Sequence, residues 1–160
     1  MDNELSFYKY YHQNPINKWI HFFCIPMIVL SIILFLDDFY IVCEKIFFYR
    51  KKKISYKFKL INFIIIYYTY SYFKIGFFIG VLMMVYFTSL ISLANFMIIN
   101  IPKHNLHIIT RLLFFGGWIL QFIGHIIEGR KPALLDSIVQ SFFQAPLFSF
   151  EVLLPQLFKK

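Results

Sequence analysis

The residues of this chain that could do chemistry fall in two short stretches. One is "WILQFIGHIIEGRKPALLD", Trp118 to Asp136, and the other is "YKYYHQNPINKWIHFFCIP", Tyr8 to Pro26. On a helix, positions 118, 121, 125 and 128 form one stripe, because they are spaced by three and four. That stripe reads Trp118, Gln121, His125, Glu128, and its neighbours Ile119, Leu120, Phe122, Ile123 and Ile126 are apolar. A histidine and a carboxylate three residues apart are one way for a single helix to present two metal ligands inside a bundle. The same spacing also suits a capping carboxylate hydrogen-bonded to a neighbouring imidazole. In the other stretch Asn17 and His21 are four apart and share a face, and His12 lies just before the helix start, where the chain can fold it back. Three imidazoles, with or without a carboxylate, suit iron, zinc, copper or nickel. No CxxC, HExxH, GxSxG or phosphate-loop pattern offers competing chemistry.

These groups need a scaffold, and composition says what kind. The chain has 160 residues, of which 59% are hydrophobic, 22% aromatic and only 15% charged. Its mean hydropathy is +0.65. A soluble domain of this size has too little interior to hide so much apolar surface. Lipid is the expected solvent, and a single membrane domain over 1–160 is the expected organisation. The two cysteines, Cys24 and Cys43, give no disulfide framework. The polar, early-acidic N-terminus lacks a basic segment followed by an apolar one, so no cleaved signal peptide is expected.

The pattern predicts an all-α membrane bundle with about four transmembrane helices plus N-terminal and C-terminal interfacial helices. Residues 1–14 are the first interfacial candidate. Asn14 followed by Pro15 is a helix start, an Asn cap with Pro at the first helical position. The spans follow at 19–36, 60–73, 77–99 and 107–127, with a kink expected at Pro26. Asp37 and Asp38 close the first span. Between the first two spans lies a basic connector loop, 44–59, holding Lys45, Arg50, Lys51, Lys52, Lys53, Lys57 and Lys59, seven of the sixteen basic residues. Between hydrophobic runs such a block marks a loop beside anionic lipid, not a nucleic-acid surface. The tail, 136–160, reads as an amphipathic helix on the membrane surface in preference to a fifth span.

Four spans have a consequence for the site. The N-terminus, the Lys74 turn and the Gly129–Lys131 segment share one side of the membrane, which places His12 and His21 level with His125 and Glu128. The connector and the 100–105 loop share the other side. Counting nine basic residues there against five on the first side, the positive-inside rule puts the connector in the cytoplasm. His104 and His107 fall on that connector side, beside a polar loop, and read as structural. Arg130 and Lys131, just past the His/Glu pair, can neutralise a substrate carboxylate or bind lipid phosphate. Asp136 reads as a cap for the tail helix.

At this point a resemblance enters. "YxxxHxNPxNxxxHxxxIP", Tyr8 to Pro26, and "WxxQFxGHxxEGRxPALLD", Trp118 to Asp136, resemble the two signature blocks of the membrane-embedded 2-hydroxy fatty acid dioxygenases. The tail "SFFQAPLFSFEVL", with Ala-Pro and the late Glu151, fits the same family. Cys24 stands where that family usually has glycine, and the basic connector is longer than the family pattern. The resemblance implies an iron(II)-dependent dioxygenase of the endoplasmic reticulum. It would use O2 to convert a long-chain 2-hydroxy fatty acid to the acid one carbon shorter, with release of CO2, in sphingoid-base and fatty acid degradation. It carries the family's histidines over to His12, His21 and His125, and its carboxylate position to Glu128. Gln121 and Asn17 would orient imidazoles, and the apolar spans would hold the acyl chain. The rival readings are a non-catalytic lipid-binding or scaffold protein with structural histidines, and a zinc or copper site. A transporter is disfavoured, since the middles of the second and third spans carry no charge.

Overall fold

A computed structural model describes residues 12–49 and 52–158. The chain is a helical bundle built on α1 (Pro15–Leu36), α2 (Leu60–Ile75), α3 (Phe77–Asn100) and α4 (Lys103–Glu128), followed by a short α5 (Ile138–Phe148) with one 3-10 turn before it and two after. The start of α1 follows from its sequence. Asn14 Oδ1 accepts from the Ile16 N–H at 2.8 Å and Pro15 opens the helix, so one orphan donor is satisfied and another does not exist. The helix runs on through Pro26. Of the expected interfacial helix over 1–14, residues 1–11 lie outside the described residues, and 12–14 are not helical.

Among the described residues three helices, α1, α3 and α4, are long and apolar enough to cross a membrane. The segment expected as the second span is α2. Its 16 residues reach about 24 Å, short of the ~30 Å of a hydrocarbon core. The helices alternate in direction as the sequence required. At one end Asp37 and Asp38, just past α1, pair with Lys59 before α2 and with Lys103 at the start of α4, the latter at 3.2 Å. At the other end the last residue of α4 bonds to the start of α1, as described below. A single residue, Gly76, turns α2 into α3.

The basic connector 44–59 is not a loop. Tyr40–Tyr49 and Lys52–Lys59 form strands β1 and β2 of an antiparallel hairpin, with Tyr40 opposite Lys59 and a register shift between Ile41 and Lys45. The signal was present. Ile54, Tyr56 and Phe58 alternate with Ser55, Lys57 and Lys59, the period-2 pattern of a strand in β-favouring residues. The lysine content hid it.

The apolar core lies where α1, α2 and α3 meet, around Leu30, Ile33, Ile65, Tyr72, Met83 and Phe87. On its other face α1 packs against α4, and there glycine sets the distance. A Cβ on Gly124 would overlap Asn17 Oδ1, and one on Gly117 would lie 2.7 Å from Ile28 Cγ1. The Cys24 carbonyl oxygen would be 3.4 Å from that second Cβ. The close crossing is therefore made by glycines of α4, and Cys24 on α1 is accommodated, buried to 2% exposure. Small residues let backbones approach in this way in membranes, where packing replaces the hydrophobic force between helices. Gly124→Ala should destabilise the bundle by about 1–3 kcal/mol, the usual cost of forcing atoms into a packed site. A drop in the unfolding midpoint in lipid or detergent would register it, and an unchanged midpoint would contradict the crossing described.

The tail does not make a fifth span. Helix α5 has 11 residues, about 16 Å of helix. It folds back on the bundle, burying Ser141, Gln144, Leu147 and Phe148 and leaving Ile138 and Phe142 exposed. Tyr72 Oη donates to the Phe143 carbonyl at 2.5 Å, and Lys18 pairs with Glu151 at 3.2 Å.

Candidate metal centre

His12, His21 and His125 come together from three parts of the chain. Each is buried, at 1%, 2% and 6% exposure. One ring nitrogen from each can be chosen so that all lie within 4.8 Å of one another. The rings are mutually edge-on, with centroids 4.4 Å (His12–His21), 5.0 Å (His12–His125) and 5.0 Å (His21–His125) apart.

The surroundings decide which atoms face inward. His21 Nδ1 donates to the Asn17 carbonyl at 2.9 Å, one helical turn back. That makes Nδ1 a protonated nitrogen and turns Nε2 toward His12, within hydrogen-bond distance. His21 Nε2 then faces His12 Nε2 at 3.1 Å. Two nitrogens bound at ~2.1 Å to one ion, about 90–110° apart, sit roughly 3.0–3.4 Å from each other. The His12–His21 spacing is the spacing of a ligand pair. His125 Nδ1 is buried and has no hydrogen-bond partner among the described residues, an unusual state for a buried polar atom. The three imidazoles are so placed that they could hold one metal ion.

Glu128 is not the fourth member of this group. Its Oε1 accepts from the Gln13 N–H at 2.8 Å, and its Oε2 accepts from the Asn14 N–H at 2.9 Å and from Asn17 Nδ2 at 3.1 Å. The carboxylate receives the first turn of α1 and the segment that carries His12. Its place at the end of α4 is set by Gly129, which adopts φ 71 and caps the helix, with Arg130 N–H donating to the His125 carbonyl at 3.3 Å. A positive φ at this position is the glycine-favouring end of a helix.

The other residues singled out by sequence divide. Asn17 lies fully buried between His21 and Glu128, in contact with both. Gln121 lines an open-sided apolar cavity together with His21 and His125. Arg130 and Lys131 line an open depression on the outer side that shares His125 and Phe122 with the cavity. Arg130 Nη2 donates to Gln13 Oε1 at 3.3 Å, and Lys131 Nζ to Asp136 Oδ1 at 2.6 Å. Asp136 thus closes the turn after α4, and the N-cap position of α5 is Ser137. His104 and His107 sit at the far end of the bundle, beside Asp37, Asp38 and Arg111. Two neighbours of the site carry no sequence signal, being common residue types in an apolar tail. Phe148 lies 4.9 Å from the His12 ring. Ser141 puts a buried hydroxyl with no partner among the described residues into the cavity wall.

A family model described as "2-hydroxy-palmitic acid dioxygenase Mpo1-like" matches residues 1–157. The 2-hydroxy-palmitic acid dioxygenase MPO1 of Saccharomyces cerevisiae is 35% identical over 150 residues, which cover 91% of this chain and 75% of the yeast protein. No solved structure matches.

Proposed function

The chain belongs to the 2-hydroxy-palmitic acid dioxygenase Mpo1-like family, and from that premise we propose that it is an iron(II)-dependent dioxygenase of long-chain 2-hydroxy fatty acids. The reaction consumes one O2 per acid and yields the acid one carbon shorter, CO2 and water. The observation that carries the reading is the convergence of three buried imidazoles on one point beside an apolar cavity.

His12, His21 and His125 hold the ion. Iron held there would supply the one-electron chemistry that O2 needs to react with a spin-paired carbon. The protein groups do the rest. The Asn17 carbonyl holds the His21 tautomer, and the Asn17 amide ties that turn to Glu128. Glu128 holds the His12 segment in place. Gln121, in the cavity wall, offers hydrogen bonds to the head of the substrate. Arg130 and Lys131 put positive charge on the outer rim near His125, where a carboxylate approaches. The apolar wall keeps water from the reacting carbon. The whole of 1–160 is one domain embedded in the endoplasmic reticulum membrane, acting on acids from sphingoid-base and fatty acid breakdown.

The test is direct. Protein purified without oxygen, loaded with Fe(II) and given 2-hydroxypalmitate and O2 should yield odd-chain acid and CO2 in equal amounts. An iron-loaded, folded preparation that produces no odd-chain acid would refute the reaction. A preparation that takes up zinc or copper but not Fe(II) would refute the metal.

A further inference from the structure

The cavity beside the histidines is longer than the head of a 2-hydroxy acid requires. Its wall on α1 is made of Ile25, Ile28, Val29 and Ile32, continuing from His21. The spacings of three and four put them on one face of the helix. Trp118 and Phe122 of α4 and Phe142 of α5 form the opposite wall. Polar groups are confined to the histidines, Gln121 and Ser141; the remaining lining is apolar. Phe122 and Phe142, at 46% and 42% exposure, leave the groove accessible from the side of the bundle, the side that lipid would cover.

We infer that this groove is a measuring slot for the acyl chain, with its far end at Ile32, so that Val29 and Ile32 set the chain length the enzyme accepts. This rests on the proposed reaction and goes beyond it, because it assigns selectivity to named side chains remote from the metal centre. Ile32 is eleven residues on from His21, about 16 Å along the helix axis. Extended methylenes advance roughly 1.25 Å each, from tetrahedral geometry and a ~1.52 Å bond. An acid whose hydroxyl-bearing carbon 2 sits at the histidines therefore reaches Ile32 with about its fifteenth carbon, and Val29 with about its twelfth. A larger side chain at either position shortens the slot, more so at Val29. One methylene too many in a tight apolar slot costs about tenfold or more in selectivity.

The experiment compares the full chain with Ile32→Phe and Val29→Phe in lipid nanodiscs. Sixteen-, twelve- and six-carbon 2-hydroxy acids compete as substrates. Ile32→Phe should lower the sixteen-to-twelve ratio by about tenfold or more. Val29→Phe should also lower the twelve-to-six ratio. In parallel, a 2-hydroxy acid with a photoreactive diazirine near its methyl end should label the α1 stretch around Val29 and Ile32 in the metal-free protein. Folded, active variants with the parent's ratios, or labelling that misses this stretch, would overturn the slot. Correct labelling with no turnover by the parent would instead leave the slot standing and sink the proposed reaction.

Discussion

His125→Ala is expected to abolish iron binding and with it all turnover. Three nitrogens within 4.8 Å make the site, and loss of one leaves two imidazoles and no chelating face. Groups that act as a unit lose nearly everything with the first deletion. The fold should survive the change. His125 Nδ1 makes no hydrogen bond among the described residues, so the substitution orphans no protein partner through that atom, and α4 favours alanine. Iron per chain should fall from about one to background while the unfolding midpoint of the metal-free protein stays near that of the parent. Iron retained at the parental level in a folded His125→Ala protein would remove the metal centre as drawn. His12→Ala should behave alike. His21→Ala should lose iron too, and also stability, since its ring bonds to the Asn17 carbonyl.

Glu128 carries the second large effect, and two substitutions separate its possible roles. As a latch it accepts three hydrogen bonds, two from main-chain N–H groups beside His12. Bonds to a charged group contribute about 1.5–3 kcal/mol each. Glu128→Ala removes all three and frees the segment that positions His12. Iron affinity should fall about 10–100-fold, the usual cost of losing a group that orients a ligand. Glu128→Gln keeps an acceptor oxygen and should recover part of that loss. Proteolysis just before Asn14 should quicken in the alanine variant and less in the glutamine variant. Were Glu128 a direct ligand, both variants would lose iron alike, with no change in cleavage. That pattern would reverse the assignment.

Much of this was legible in the chain, for physical reasons that can be named. Alternating helix directions follow from counting apolar runs, so His12, His21 and His125 were brought level before any contact was known. Asn14 and Pro15 announced the start of α1 because capping is local chemistry. What stayed hidden was long-range. A carboxylate one helix-end away from another helix's first turn looks, in sequence, like half of a His/Glu ligand pair; only the α1–α4 crossing shows that Glu128 faces main-chain donors. Asp136 was read as a cap because it precedes a helix, yet Lys131, five residues back, takes it first. The hairpin was missed because charge was weighed and alternation was not. The segment 60–73 counts as a span on hydrophobicity alone, but even extended to Ile75 its turns fall short of the bilayer thickness.

The latch between Glu128 and the main chain of Gln13 and Asn14 joins positions 115 and 114 residues apart. Membrane proteins are made from the N-terminus onward, and helices enter the bilayer in order of synthesis. His12 and His21 are therefore in place long before their third partner exists. Through most of translation the nascent chain carries only two of the three clustered imidazoles. The cluster can close only when the last span has been made, so a stalled or truncated chain would lack the proposed metal site.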